Sequence, residues 1–283
     1  MTVLLYTAVV LCALSQSTLD KLDRRGDAIR YNFFKALAAC VVFFVAFLIS
    51  REGFHAPTLC YGMAQGALFA VANFAGYRAL HTGPMALTSM LVKFSLIIPF
   101  LFGIWRLGER PSAAAYVGFV LLFVALACLN LRRGKREKKP LSLHWALLVL
   151  ATLLANGFTS VLTSAHQSAY PGAYAYGYTA WATASCLVLF LLPALYAGRL
   201  RTRHADLRAD ALACTSGTAN TLSSFLTVLL AAVVPATILY PLLSVTMMLG
   251  ALLLGRFLFR EKLSLPQYVG FALGVCSVVL LNL

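Results

Sequence analysis

The segment Glu109–Leu131, ERPSAAAYVGFVLLFVALACLNL, is repeated at the end of the chain as Glu261–Leu283, EKLSLPQYVGFALGVCSVVLLNL. Aligned without a gap, the two segments are identical at ten of 23 positions, with an offset of 152 residues. The offset is a little over half of the 283-residue chain. A duplication of this size in an apolar sequence predicts a membrane protein built from two homologous halves.

Composition also indicates a membrane protein. Apolar residues make up 61% of the chain and charged residues only 11%, against about a quarter in soluble domains. Runs of about 20 apolar residues recur between short polar breaks, and each can cross a hydrocarbon core as a helix. We predict ten spans, at residues 2–20, 31–50, 58–80, 84–106, 112–131, 143–165, 173–197, 209–232, 235–258 and 264–282.

The predicted fold is therefore an all-α integral membrane protein, with ten transmembrane helices arranged as two inverted five-helix repeats. The first repeat covers residues 1–131 and the second covers 143–283, and residues 132–142 form a basic cytoplasmic linker. Because each repeat has an odd number of spans, the second must be inserted upside down relative to the first. Inverted repeats of this kind place a substrate site near the bilayer midplane.

The distribution of basic residues predicts the orientation. Alternate loops share a side of the membrane, and 19 of the 23 lysines and arginines fall on one side, three fall on the other, and Lys93 remains. The positive-inside rule makes the 19-residue side cytoplasmic, so both termini are extracytoplasmic in the inner or plasma membrane. The run RRGKREKK is then a topology determinant that can contact anionic lipid, and we expect no nucleic acid binding despite the net charge of +14.

Lys93 is the one charge near the middle of a predicted span. Polar groups this deep are costly and usually face the interior of the bundle. Lys93 can pair with an anionic or carboxylate group of a substrate, it can lose its proton during transport, or it can anchor neighbouring helices permanently. The sequence leaves these interpretations open.

Other polar residues within spans can line a wet cavity or hold helices together. The eighth span carries Ser216, Asn220, Ser224 and Thr227 on one helical face. The remaining candidates are Gln16 in the first span, Asn73 and Tyr77 in the third, Asn156 and Ser160 in the sixth, and Tyr240 in the ninth.

No acidic residue lies at the centre of a span, which argues against the simplest proton antiport and against a carboxylate site for organic cations. Glu109 and Glu261 occupy equivalent span ends beside Ser112 and Ser264, which can cap the next helices, so we predict a structural role for both glutamates. The seven cysteines form no CxxC or Cys/His cluster, and no metal or cofactor is predicted.

We also predict no enzymatic activity, since the chain contains neither HExxH nor GxSxG. His81, His144 and His166 lie at span ends, where we expect solvated or interfacial side chains.

The stretch Val233–Leu283 carries a family resemblance. It has a Pro-x-x-x-x-Tyr motif, a glutamate before a basic residue, and a Leu-Pro that opens a glycine-containing last span ending in Asn-Leu. Gly83-Pro84 and Gly108–Ser112 match it in the first half. These features resemble small multidrug resistance proteins, and ten spans in two halves resemble the EamA-type members of the drug/metabolite transporter superfamily.

The resemblance implies a secondary transporter whose central cavity is lined by the first, third, fourth, sixth, eighth and ninth helices. Small multidrug resistance proteins have an essential glutamate eight residues before a lysine. Counting back from Lys21, that position is Ala13 in this chain, which argues against proton-coupled drug export.

We therefore predict a transporter that moves a small polar metabolite by alternating access, with an amino acid or another carboxylate- or anion-bearing compound favoured. Lys93 would bind the carboxylate, and Asn156, Asn220 and Tyr240 would bind the rest. The alternatives are a lipid-facing scaffold or lipid-flipping protein, and a drug or organic-cation exporter. The expected partners are the small-molecule substrate and membrane lipids. A monomer is favoured, and a homodimer through Gly270 and Gly274 is possible.

Overall fold

The structure is a computed structural model that describes residues 2–22, 28–82, 88, 91–130, 142–196, 207–257 and 265–281. Throughout these ranges the regular secondary structure is helical, as the sequence predicts. The helices are α1 (Thr2–Leu22), α2 (Ala28–Ser50), α3 (Ala56–Thr82), α4 (Ile97–Trp105), α5 (Ala113–Asn130), α6 (Leu143–Ala169), α7 (Ala175–Tyr196), α8 (Leu207–Ala231), α9 (Ala236–Phe257) and α10 (Leu265–Leu281). A 3₁₀ turn, Phe94–Leu96, precedes α4.

Three helices in the described ranges are long and apolar enough to cross a membrane: Ile29–Ser50, Leu143–Ala169 and Ala175–Tyr196. Five shorter apolar helical stretches lie at Thr2–Gln16, Leu91–Trp105, Ala113–Cys128, Ala236–Gly250 and Leu265–Leu281. Length and composition therefore support a membrane protein.

The helix α6 shows how polarity is distributed. Leu147, Leu150 and Leu154 are exposed on one face, while Thr152 and Thr159 are buried on the other. A helix at the surface of a soluble protein has the opposite arrangement, with its apolar face buried. The exposed face of α6 is therefore apolar and suited to contact with lipid.

The chain forms two compact units. The first contains residues 1–74 and 162–233, and the second contains 75–161 and 234–283. Each unit takes helices from both sequence halves, so the compact units differ from the sequence repeats 1–131 and 143–283. Residues 132–141 of the basic linker lie outside the described residues.

In the first unit, α2 packs against α7 and α8, and α1 packs along α8. The aromatic residues Phe43, Tyr178 and Phe225 are buried together in one core cluster. Glycine permits the closest approaches, because a Cβ on Gly66 would overlap the carbonyl oxygen of Ala182. Small residues let helix backbones approach closely in membrane proteins too.

In the second unit, α5 and α10 form an extensive contact. The Ser277 hydroxyl donates to the Gly118 carbonyl at 2.7 Å, and a Cβ on Gly118 would lie only 2.9 Å from Leu280 Cβ. Gly274 faces α9, where a Cβ would lie 3.2 Å from Leu249 Cδ2. The Gly274 side of α10 is therefore occupied by the same chain, although the homodimer remains a prediction.

Ser112 caps α5 as predicted, because its hydroxyl accepts a hydrogen bond from the Ala115 N–H at 3.1 Å. Ser264 and Glu261 lie outside the described residues. Glu109 has a structural role as well, but in a different helix. Its carboxylate accepts the Ala236 and Thr237 N–H groups at 2.7 and 2.8 Å, and thereby caps the start of α9.

Glu52 does the same for α7 in the first unit. Its carboxylate accepts the Gly177 N–H at 2.8 Å and the Tyr176 N–H at 3.4 Å. Both glutamates directly follow a residue with a left-handed backbone, Arg51 (φ 53°) and Gly108 (φ 70°). A residue in the left-handed conformation commonly ends a helix and changes the direction of the chain. Here the next residue, Glu52 or Glu109, has its carboxylate at the start of another helix.

Candidate functional site

In the second unit, α6 contacts three other helices, α3, α4 and α9. A Cβ on Gly76 of α3 would lie 3.2 Å from Thr152 Cγ2, and Gly157 packs directly against Ile98 of α4. One turn further along α6, the Ser160 carbonyl accepts a hydrogen bond from Tyr240 of α9 at 2.9 Å. Two of the predicted site residues, Tyr240 of α9 and Ser160 of α6, are therefore in direct contact.

Lys93 lies where the helix before α4 is interrupted. It is the last α-helical residue before the 3₁₀ turn Phe94–Leu96. Pro99 has no N–H, so the carbonyl of Ser95 cannot form the usual helical hydrogen bond. A short 3₁₀ segment within a helix often marks a functional hinge. The sequence predicted one uninterrupted span over 84–106, and the described part of that span contains this break.

The Lys93 side chain is exposed, although it belongs to the apolar helical stretch Leu91–Trp105. Among the described residues, Lys93 makes no hydrogen bond and no ion pair. A charged group without a partner is costly to hold inside a protein unless water or a ligand solvates it.

Asn156 lies beside a contact between α6 and α4. It directly precedes Gly157, which touches Ile98, and Ile98 follows Lys93 by five residues. The Asn156 carbonyl accepts the hydroxyls of Thr159 and Ser160 at 2.7 and 3.4 Å. Its half-buried side-chain amide has no hydrogen bond within the described chain. That amide can therefore donate to and accept from a ligand.

The other candidates in the second unit are already engaged or less accessible. Tyr240 is 6% exposed, and its hydroxyl donates to the Ser160 carbonyl, which ties α9 to α6. The Ser160 hydroxyl bonds back to its own helix. Tyr77 is half-buried on α3.

The first unit holds the remaining candidates. The Asn73 amide donates to the Phe69 carbonyl of its own helix at 2.8 Å. Asn220 and Ser224, one turn apart on α8, are half-buried and have no hydrogen-bond partner in the part of the chain that is described. Gln16 is half-buried on α1. The neighbouring Ser223 hydroxyl donates to the Val9 carbonyl at 3.2 Å and links α8 to α1.

An ion pair also holds the first unit together. Arg30 Nε and a terminal guanidinium nitrogen donate to the two carboxylate oxygens of Asp210 at 3.1 and 2.6 Å. This pair joins the first turns of α2 and α8. Both side chains are largely buried, which favours such a two-bond geometry over a single contact. It is a structural contact that the charge count alone did not reveal.

The prediction for His166 is wrong, because this side chain is fully buried rather than solvated or interfacial. It hydrogen-bonds to Thr58 and to Gln167. His144 is exposed, as expected. The His81 side chain lies outside what the structure describes.

Metal-binding groups of three or more His, Cys, Asp or Glu side chains do not occur within the described ranges. All seven cysteines are free thiols.

No protein-family model and no curated protein matches this sequence. A crystal structure of another protein aligns with 99% of this chain and 98% of its own, with a TM-score of 0.74 and 16% sequence identity. At this identity the similarity concerns the fold alone. The chain therefore has a fold that occurs in a solved structure, and its function has to be argued from its own residues.

Proposed function

We propose that this chain is a multi-pass membrane transporter that moves a small polar metabolite by alternating access, and that Lys93 binds a carboxylate or another anionic group of that metabolite. The observation that carries the proposal is the state of the Lys93 ammonium group. The side chain is exposed although Lys93 belongs to the apolar stretch Leu91–Trp105, and the ammonium group has no partner among the described residues.

A substrate anion would provide the Lys93 ammonium group with a partner of opposite charge. An ammonium provides three donors and one positive charge, and the amide of Asn156, on a helix that contacts α4 through Gly157, provides a donor and an acceptor. A carboxylate bound to Lys93 would offset part of the cost of burying the lysine charge. The adjacent 3₁₀ turn gives the segment before α4 a place to bend when the substrate binds or leaves.

The lengths of the helices support ten spans. Apart from α4, the helices have 17–27 residues, which at about 1.5 Å per residue gives roughly 25–40 Å. This range fits a hydrocarbon core about 30 Å thick. For the span that includes α4, the corresponding apolar stretch is Leu91–Trp105. Together with the repeat of 109–131 at 261–283, these lengths favour two inverted five-helix repeats.

The transport test uses purified protein in proteoliposomes. Amino acids and small mono- and dicarboxylates are first screened by thermal shift, and the best ligand is then offered as a radiolabelled substrate. We expect Lys93→Met to abolish uptake and ligand-induced stabilisation, and Asn156→Ala to weaken affinity about tenfold, which corresponds to one lost hydrogen bond. Asn73→Ala is the matched control, because that amide already bonds to its own helix.

Uptake and affinity that are unchanged in Lys93→Met, with normal folding by gel filtration, would exclude the assigned role of Lys93. Orientation is tested separately by thiol labelling of single-cysteine variants at positions 53 and 137 in a cysteine-free background. Gly53 is suitable because a Cβ there meets no atom within 4 Å. We expect a membrane-impermeant reagent to label position 53 from outside the cell and position 137 only after lysis.

A further inference from the structure

A chain of buried hydrogen bonds in the first unit is separate from the Lys93 site. His55 Nδ1 lies 2.9 Å from Thr58 Oγ1, which lies 3.0 Å from His166 Nε2. On the other side of the His166 ring, Nδ1 lies 3.2 Å from Gln167 Nε2. Gln167 Oε1 accepts the Gly172 N–H at 3.0 Å. The chain thus joins the start of α3 to the segment between α6 and α7.

The direction of each hydrogen bond follows from one fixed donor. A backbone N–H can only donate, so Gln167 turns its oxygen to Gly172 and its NH₂ group to His166. His166 Nδ1 must then accept, and a neutral ring carries its proton on Nε2, which donates to Thr58. The Thr58 hydroxyl is left to donate to His55 Nδ1. This arrangement is satisfied only while His166 is neutral.

None of the described residues acts as a counter-ion for His166. Within the described chain its ring contacts no carboxylate, and the Glu52 carboxylate is used by the N–H groups that open α7. The titratable side chains that face His166 are His55, which lies across Thr58, and three tyrosines: Tyr61 of α3, Tyr170 after α6 and Tyr178 of α7. The ring of Tyr174 stacks on the ring of His55, with 4.3 Å between the ring centroids. A proton on His166 is therefore not balanced by an acidic neighbour.

The segment held by this chain is a tight turn. Ala173 N–H donates to the Tyr170 carbonyl at 3.1 Å, with Pro171 and Gly172 (φ 70°) at the two central positions. This is the pattern of a type II turn, in which glycine provides the positive φ. The hydrogen bond from the Gly172 N–H to Gln167 therefore connects the turn to the hydrogen-bond chain.

We propose that His55, Thr58, His166 and Gln167 form a proton-sensitive latch that holds the α6–α7 turn against α3. When His166 binds a proton at Nδ1, both ring nitrogens become donors, and the Gln167 NH₂ group loses its acceptor. Rotation of the amide restores a bond to His166 but turns the NH₂ group towards Gly172 N–H. Without rotation, the hydrogen bond between Gln167 and His166 breaks. With rotation, the hydrogen bond between Gln167 and the Gly172 N–H breaks, and this is the bond that holds the turn. His55 is half-buried and gives water access to the outer member of the chain.

The test follows hydrogen–deuterium exchange of the peptide that contains Gly172 in the full chain, reconstituted in lipid nanodiscs at pH 7.5 and pH 5.0. Exchange times are scaled for the intrinsic pH dependence of the rate. We expect the protection factor to fall about tenfold on acidification, the equivalent of one buried hydrogen bond.

Gln167→Glu provides a variant with the opposite behaviour. A carboxylate accepts both from Gly172 N–H and from a protonated His166, so we expect protection to persist at pH 5.0. His144→Gln is the matched control, since His144 is an exposed histidine on the same helix, and it should behave like the unmodified protein. Equal protection of the unmodified protein at the two pH values, or a loss of protection in Gln167→Glu at pH 5.0, would overturn the proposal.

Discussion

Removal of the Glu109 carboxylate is expected to destabilise the second unit through the start of α9. The two N–H groups that Glu109 accepts belong to Ala236 and Thr237, which are only 3% and 2% exposed. Water cannot easily replace the lost acceptor at such buried positions. A hydrogen bond to a charged group contributes about 1.5–3 kcal/mol, and the two bonds are not additive. We therefore expect Glu109→Ala to lower the free energy of unfolding by about 3 kcal/mol.

Two further variants make this prediction specific. Glu109→Gln keeps one acceptor oxygen, so it should cost about half as much. Glu52→Gln should cost less than Glu109→Gln, because Glu52 has only one short bond, to Gly177 at 2.8 Å, and its contact with Tyr176 is 3.4 Å long. Each variant is compared by thermal unfolding in detergent, where about 3 kcal/mol corresponds to roughly 5 °C in Tm for a chain of this length.

Gly103 supplies an internal check on the geometry. A Cβ at this position would lie 2.7 Å from Glu109 Oε2 and 2.9 Å from Thr237 Cγ2. Gly103→Ala should therefore destabilise the protein, and the effect should shrink by at least about 1 kcal/mol when Glu109 is already alanine. A Tm of Glu109→Ala equal to that of the unmodified protein, or the same Gly103→Ala penalty in both backgrounds, would refute the capping argument.

Two other substitutions test the backbone arguments by the same unfolding assay. Arg51→Gly should stabilise the protein by about 0.5–1 kcal/mol, because Arg51 has φ 53° and glycine adopts this conformation without strain; a loss of stability would contradict this. Gly66→Ala should cost about 2 kcal/mol or more, because the new Cβ would overlap the Ala182 carbonyl and lie 2.7 Å from Ser185 Cβ, whereas Gly53→Ala, with open space around it, should be nearly neutral. Equal effects at positions 66 and 53 would show that the α3–α7 contact is looser than described.

Within the described residues, helices lie where the sequence predicts apolar spans, because long apolar runs between short polar breaks leave little choice. The predicted span 143–165 corresponds to α6, and 209–232 corresponds to α8, with boundaries that differ by a few residues. Ser112 was also predictable as a cap, since its position relative to the next helix is local. Residues whose partners lie far along the chain were not predictable in the same way. Glu109 caps a helix 127 residues later, and no local pattern indicates that target.

For the candidate site, too, the sequence predicted features that depend on nearby residues and missed contacts between distant ones. Lys93 could be singled out because one charge in an apolar run is conspicuous, and its role in binding stays a prediction. The engagement of Tyr240 with the Ser160 carbonyl depends on how α9 meets α6, which spacing along the chain does not encode. His166 was misread because its position at a span end suggested water, whereas Thr58 and Gln167 enclose it.

The contact between α1 and α8 has a consequence for biosynthesis. Ser223 reaches Val9 across 214 residues of sequence, so α1 leaves the ribosome long before its partner exists. At about 5–20 residues per second, the wait is roughly 10–40 s. During that time the nascent first helix must be sheltered by lipid, by the insertion machinery or by a temporary neighbour. A ribosome that stalls before residue 207 would leave α1 without its partner.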